Sequence, residues 1–241
     1  MSKLLYDNLV RMKRSFMLKI ALFFFMVEPV INIILVKMNP RNPEYDTINI
    51  MGLFFIPMVF SVLAGTFLAH DYQQNTIRNK LIVGHTRANI YISNLLCITI
   101  YLFIMVILYE AVAMGVGIPV IGSKGLDADI ITKNMLFVIP MLINISSITV
   151  FLGMTLKSNA GTLAVFMFFY ASMGFGIFSL DPEMNYDWIK EVAKWLPSAQ
   201  LMTLSNTELV EEPVRKIVYA AITTAATTGG GLVLFKKADL K

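Results

Sequence analysis

The sequence predicts an all-α integral membrane protein: six transmembrane helices preceded by an N-terminal amphipathic interfacial helix. Three observations carry this. The 241 residues are 56% hydrophobic and 15% charged, where a soluble domain has about 45–50% and about 25%. The mean hydropathy is +0.67. The apolar residues are gathered into runs, and a hydrocarbon core of about 30 Å takes about 20 of them as helix.

Six runs meet that length, at Phe16–Val36, Ile50–Ala69, Ile90–Ile118, Met135–Leu156, Ala160–Leu180 and Ile217–Phe235. The third is long enough to tilt or to extend beyond the bilayer. The sixth contains TTAATTGGG, whose small residues suit close helix packing better than lipid contact. No repeat or low-complexity linker divides the chain, so residues 1–241 read as one transmembrane domain.

The net charge of +4 would suggest nucleic acid in a soluble protein. Here the bases flank apolar runs, so they read as orientation signals and no nucleic-acid partner is expected. With the N-terminus inside, the larger share of the Lys and Arg falls on the inner side. The short inner segments are the denser, with Lys3, Arg11, Lys13 and Arg14 ahead of the first span and Arg78, Lys80 and Arg87 after the second. Both termini are then expected in the cytoplasm. The first apolar run exceeds signal-peptide length and lacks a small-residue cleavage site, so no cleaved leader is expected.

Three segments outside the spans have character. Residues 1–15 form the interfacial helix, with Leu5, Leu9, Met12 and Phe16 predicted on its apolar face. Residues 70–89 form a basic inner loop. It holds a short helix, predicted to place Ile77, Leu81 and Ile82 on one side and Arg78, Asn79 and Lys80 on the other. Residues 181–213 form the largest outer loop. There Trp188, Ile189, Val192, Trp195 and Leu196 recur at helical spacing, and Pro197 is predicted to end the run.

Catalytic and cofactor motifs fail on spacing. A phosphate loop needs G-x-x-x-x-G-K-[ST]; residues 117–124 read GIPVIGSK, with the last two transposed and on the outer side. Glu211, Glu212 and Arg215 fall one residue short of a membrane-protease motif and have no histidine beside them. Asp127 and Asp129 read as solvated loop carboxylates. Cys97 is the only cysteine, so neither a disulfide within the chain nor a cysteine metal site is available. His70 and His85 are too few for most zinc sites. The chain is expected to be no enzyme and to hold no cofactor of its own.

Charges inside the spans say more. Glu28 lies near the middle of the first span, before Pro29, and Glu110 in the outer half of the third. A carboxylate at that depth costs at least about 2.5–3.5 kcal/mol, so it faces a partner or a wet cavity. Glu28, Glu110 and Asn144 of the fourth span are the candidate translocation path. The bland reading is hydrogen bonding between helices, which also suits Ser146 and Ser147. Lys19 can snorkel to the inner surface.

The loop string TIRNKLIVGHTRANIYIS (Thr76–Ser93) resembles the corresponding loop of bacterial ABC type-2 permeases, where an "(I/L)RNK" stretch, a glycine and a basic residue precede "IY.S". The resemblance extends to the basic N-terminus, the six spans, KWLPSAQ (Lys194–Gln200) and the ending FKKADLK (Phe235–Lys241). It implies an ABC type-2 exporter fold and a permease subunit in a bacterial cytoplasmic membrane. Two ATPase subunits would hold the ATP and Mg, beside a second permease copy and membrane lipids. The cargo it implies is an amphipathic or hydrophobic peptide such as a toxin or bacteriocin; lipid or glycan precursors and small hydrophobic drugs are the alternatives. The loop becomes a coupling helix, with Gln73, Gln74, Asn75, Thr76, Ile77, Arg78, Asn79 and Lys80 against the ATPase. The sequence departs from the pattern at Gln73 and Gln74, where acids are frequent, and at Asn75, where glycine is frequent.

Overall fold

The computed structural model describes residues 1–38, 46–122, 127–180, 186–204 and 208–238, with backbone alone for 46–54. Outside the described residues lie Ser123 and Lys124 of the GIPVIGSK string, 181–185 and 205–207 of the outer loop, and the last three residues of FKKADLK. Among the described residues the only regular structure is helical.

The six predicted runs are six helices long and apolar enough to cross a membrane. They are α2 (Phe16–Met38), α3 (Asp46–Gln73), α5 (Arg87–Ile121), α6 (Ala128–Leu156), α7 (Asn159–Leu180) and α10 (Pro213–Lys237), with short helices α1 (Ser2–Arg14), α4 (Thr76–Ile82), α8 (Asp187–Ala193) and α9 (Pro197–Leu201) between or before them. The helices overrun the apolar runs where polar residues cap them. Asp127 accepts from the Asp129 amide at 2.9 Å and starts α6 one turn and more before Met135. Thr86 accepts from the Asn89 amide and starts α5. Asp129, rather than standing free beside Asp127, pairs with Lys133.

α6 is the hub of the bundle: it packs on α3, α5, α7 and α10. α2 closes the other side against α5 and α3. Among the described glycines the closest approach to another helix's backbone is α3 on α7, where a Cβ on Gly65 would sit 2.8 Å from Thr162 Cα. Only a glycine permits that approach.

Three local expectations are corrected. The buried stripe of α1 is Leu4, Asn8 and Met12, while Leu5 and Leu9 are half-buried and Phe16 is 72% exposed. The helix is turned because α1 packs on α5 and offers it a polar residue, Asn8. In α4, Ile77 is buried but Ile82 is 73% exposed. Five residues at 100° each separate those two by more than a third of a turn, so Ile82 shares the outward side with Arg78 and Asn79, and Lys80 turns inward. Finally, Pro197 does not end a helix but opens α9, the first-turn position at which its missing N–H costs nothing.

Candidate functional site

The predicted loop 70–89 is the last turn of α3, then α4, then the start of α5. Two backbone features shape it. Asn75 has φ 53° ahead of α4, and Gly84 has φ 96° after it. The first is the left-handed conformation that glycine fills most readily and asparagine tolerates best among the others. Asn75, where the resembled pattern frequently has glycine, therefore meets the same backbone demand.

α4 presents Arg78, Asn79, Ile82 and Val83 outward, with Gln73, Gln74 and Asn75 exposed beside them. Thr76 is half-buried, and the Gln73 side-chain amide donates to Asn159 Oδ1 at 3.0 Å, tying the loop to α7. Ile77 anchors the helix in the core. Lys80 does the same with its ammonium, which donates to Asn8 Oδ1 at 2.8 Å and to Asp71 Oδ2 at 3.3 Å.

Lys80 thereby enters a polar hub that sequence reasoning missed. Asp71 is fully buried and also accepts from the Arg11 guanidinium, which lies over the Phe67 ring at 5.3 Å. Asn8 is saturated: its amide donates to Ser93 Oγ at 3.0 Å and to Asn94 Oδ1 at 2.7 Å, and its oxygen takes Lys80. The hub locks α1, α3, α4 and α5 together. Burial pulls the Lys80 ammonium below its ordinary value; Asp71 pulls it back up and Arg11 adds to the lowering. Beside the hub, Arg87 donates to the Phe235, Lys236 and Ala238 carbonyls and caps the end of α10. The available sequence signal was thin. Asp71 is the lone acid in a basic loop, and Asn8 sits at i+4 between Leu4 and Met12.

The predicted path residues are not brought together as one site. Glu28 accepts from Asn32 at 2.5 Å and bonds to Tyr109 across α2 and α5, and its second oxygen has no partner among the described residues. Among the same residues, Glu110 of α5, 8% exposed, has no partner for either oxygen. Asn144 is fully buried in α6, with no described partner for either amide atom. Its neighbours are satisfied: Ser146 bonds back to the Leu142 carbonyl, and Ser147 meets Thr227 of α10 at 2.9 Å.

At the other end of the bundle the long segment between α7 and α10 is pinned by Asn134, which donates to the Glu208 carbonyl and accepts from the Val210 amide. Glu212 and Arg215 pair with each other at 3.2 Å. Trp195 packs on Tyr219 with centroids 4.3 Å apart, and Trp188 on Phe175 at 6.1 Å.

Six helices of spanning length and a polar hub at one end define a multi-pass helical membrane protein. The chain belongs to the family described as "Protein of unknown function (DUF2705)", whose model matches residues 16–240. No curated protein matches the chain. No solved structure matches it either.

Proposed function

We propose that this chain is the membrane-spanning permease of an ATP-driven bacterial exporter, with both termini in the cytoplasm, working beside a separate ATPase that binds ATP and Mg. The observation that carries the reading is α4. It is a short helix with Arg78, Asn79, Ile82 and Val83 turned outward, and Ile77 and Lys80 fix its inner side to the bundle. A lever must be both presented and rigidly mounted to pass on a partner's motion, and this helix is both. The ABC type-2 resemblance of Thr76–Ser93 supports the same role.

On this reading Gln73, Gln74, Asn75, Arg78 and Asn79 meet the ATPase directly. Ile77 and Lys80 set the helix angle from within. A second permease copy, identical or similar, completes the path. α10 leaves Ala221, Ala225 and Gly229 exposed for such a contact. The proposed cargo is an amphipathic or hydrophobic peptide, moved by alternating access. A second reading, an ATPase-independent secondary transporter, is favoured by the unpaired Glu110 carboxyl, since intramembrane acids serve ion relays.

The test reconstitutes the chain with its ATPase in neutral and in anionic liposomes. Arg78→Glu inverts a charge at the docking face. It should lower transport and cargo-stimulated ATP hydrolysis together by roughly tenfold, the loss of about 1.4 kcal/mol at an interfacial charge, with membrane insertion intact. Full coupled transport by the variant in both lipids removes Arg78 from the docking surface. Proton- or sodium-driven flux by the chain alone selects the second reading.

A further inference from the structure

The structure assigns a binding site for an anionic phospholipid to the face formed by α2, α3 and α7, with the headgroup at the junction of α1 and α2. This goes beyond the export reading and stands independently of it.

Three cavities adjoin on that face. The first, of 460 Å³, lies where α1 turns into α2, and its polar side is Arg11, Arg14, Ser15 and His70. The second, of 250 Å³, is an apolar cleft between α2, α3 and α7 that shares Met17 with the first. The third, of 440 Å³, lies between α3 and α7 and shares Thr66 with the first. The two clefts meet at Val62 and Phe166. One basic pocket thus opens into two clefts, the shape of one headgroup with two acyl chains.

Dimensions and charge agree with this. From Thr66 to Phe55 the clefts follow α3 for about 16 Å at 1.5 Å per residue, close to half of a hydrocarbon core of about 30 Å. Among the described residues no acidic side chain lines any of the three cavities. Asp71, the nearby acid, is already taken by Arg11 and Lys80. Arg11 gives one arm to Asp71, while its other terminal nitrogen, Nη1, is buried and has no acceptor among the described residues. Arg14 and His70 are exposed. A phosphate in the pocket supplies acceptors to the exposed Arg14 and His70 and the missing negative charge.

A second copy of the chain is the rival occupant. A two-fold contact sets the same patch against itself, and this patch offers no acid to Arg14 or His70. It would cover the clefts and leave the basic pocket uncompensated.

The experiment exposes the purified full-length protein to an equal mixture of phosphatidylglycerol and phosphatidylcholine, and counts retained lipid by mass spectrometry. Wild type should retain the anionic lipid with a preference of roughly tenfold, given the worth of a basic residue near an anionic surface. The surface variant Arg14→Gln/His70→Gln should lose most of that preference. Val62→Trp, which fills the meeting point of the clefts, should release both lipids. Free glycerol 3-phosphate should displace neither. The site is overturned if the preference survives Arg14→Gln/His70→Gln, or if free glycerol 3-phosphate displaces the lipid, which would mark a soluble-anion pocket. Efficient disulfide crosslinking between copies through Val62→Cys in anionic bilayers would overturn it too, by placing a second copy on the clefts.

Discussion

Two of the places where the chain buries polar side chains treat them in opposite ways. At the α4 end, Lys80 joins Asn8 and the buried Asp71, and Arg11 is a second cation on the same carboxylate. Along α5 and α6, Glu110 and Asn144 are also buried, and among the described residues their side chains have no hydrogen-bond partner. A bonded buried group holds structure together; an unbonded one costs the fold free energy and so points to a partner met in another state. The first set is therefore the mounting of the machine. The second is the better place to seek its working surface.

The largest effect should come from removing the centre of the mounting. Asp71→Ala leaves Arg11 and Lys80 facing each other with no anion between them. Breaking a buried ion pair in this way costs about 3–5 kcal/mol, so the purified variant should unfold far earlier in heat or denaturant. Adding Lys80→Met to Asp71→Ala should recover part of the loss. A single variant as stable as wild type would show that the hub does not hold the helices.

Asn8→Ala comes next. It removes two donated bonds and one accepted bond, leaving Asn94 and Lys80 short of partners. The expected loss is about 1–3 kcal/mol, read in the same unfolding assay. Because α1 would loosen from α5, proteolysis within residues 1–15 should also speed up. Unchanged proteolysis would mean that Leu4 and Met12 alone hold α1.

The two regions were not equally legible in the sequence. The six spans are written in local composition, and each run lies within the helix that forms. Glu28, Glu110 and Asn144 stand out because they interrupt those runs. The hub could not be seen this way, because it joins residues 8, 11, 71, 80 and 94 across four helices. Local periodicity gathered Leu5, Leu9 and Met12 on one apolar face of α1, but it could not show that contact with α5 buries the Leu4, Asn8 and Met12 side. Lys80 looked like an outward base for the same reason: its counter-charge, Asp71, sits on another helix. The apparent departure at Asn75 became intelligible only from its φ of 53°.

The smallest stability effect, and the sharpest test of the contrast, concerns Asn144. Leucine has nearly its shape and no polar atoms. If the amide makes no bond in this state, Asn144→Leu removes a desolvation cost of about 1–3 kcal/mol and takes away no contact. Membrane-unfolded chains also find partners for such groups, which trims the gain. The expected change in unfolding free energy is therefore between zero and about 1 kcal/mol of stabilisation. Glu110→Gln keeps shape and both bonding atoms and should be close to neutral. Transport is where the two regions should part. Asn144→Leu and Glu110→Gln should lower flux in reconstituted vesicles while stability holds, the reverse of Asn8→Ala, whose loss of flux should track its loss of folded protein. If Asn144→Leu destabilises by more than about 1 kcal/mol, the amide is bonded in the folded state, as polar groups in packed helices usually are. If stability and flux are both untouched, Asn144 is outside the path and Glu110 becomes the remaining candidate.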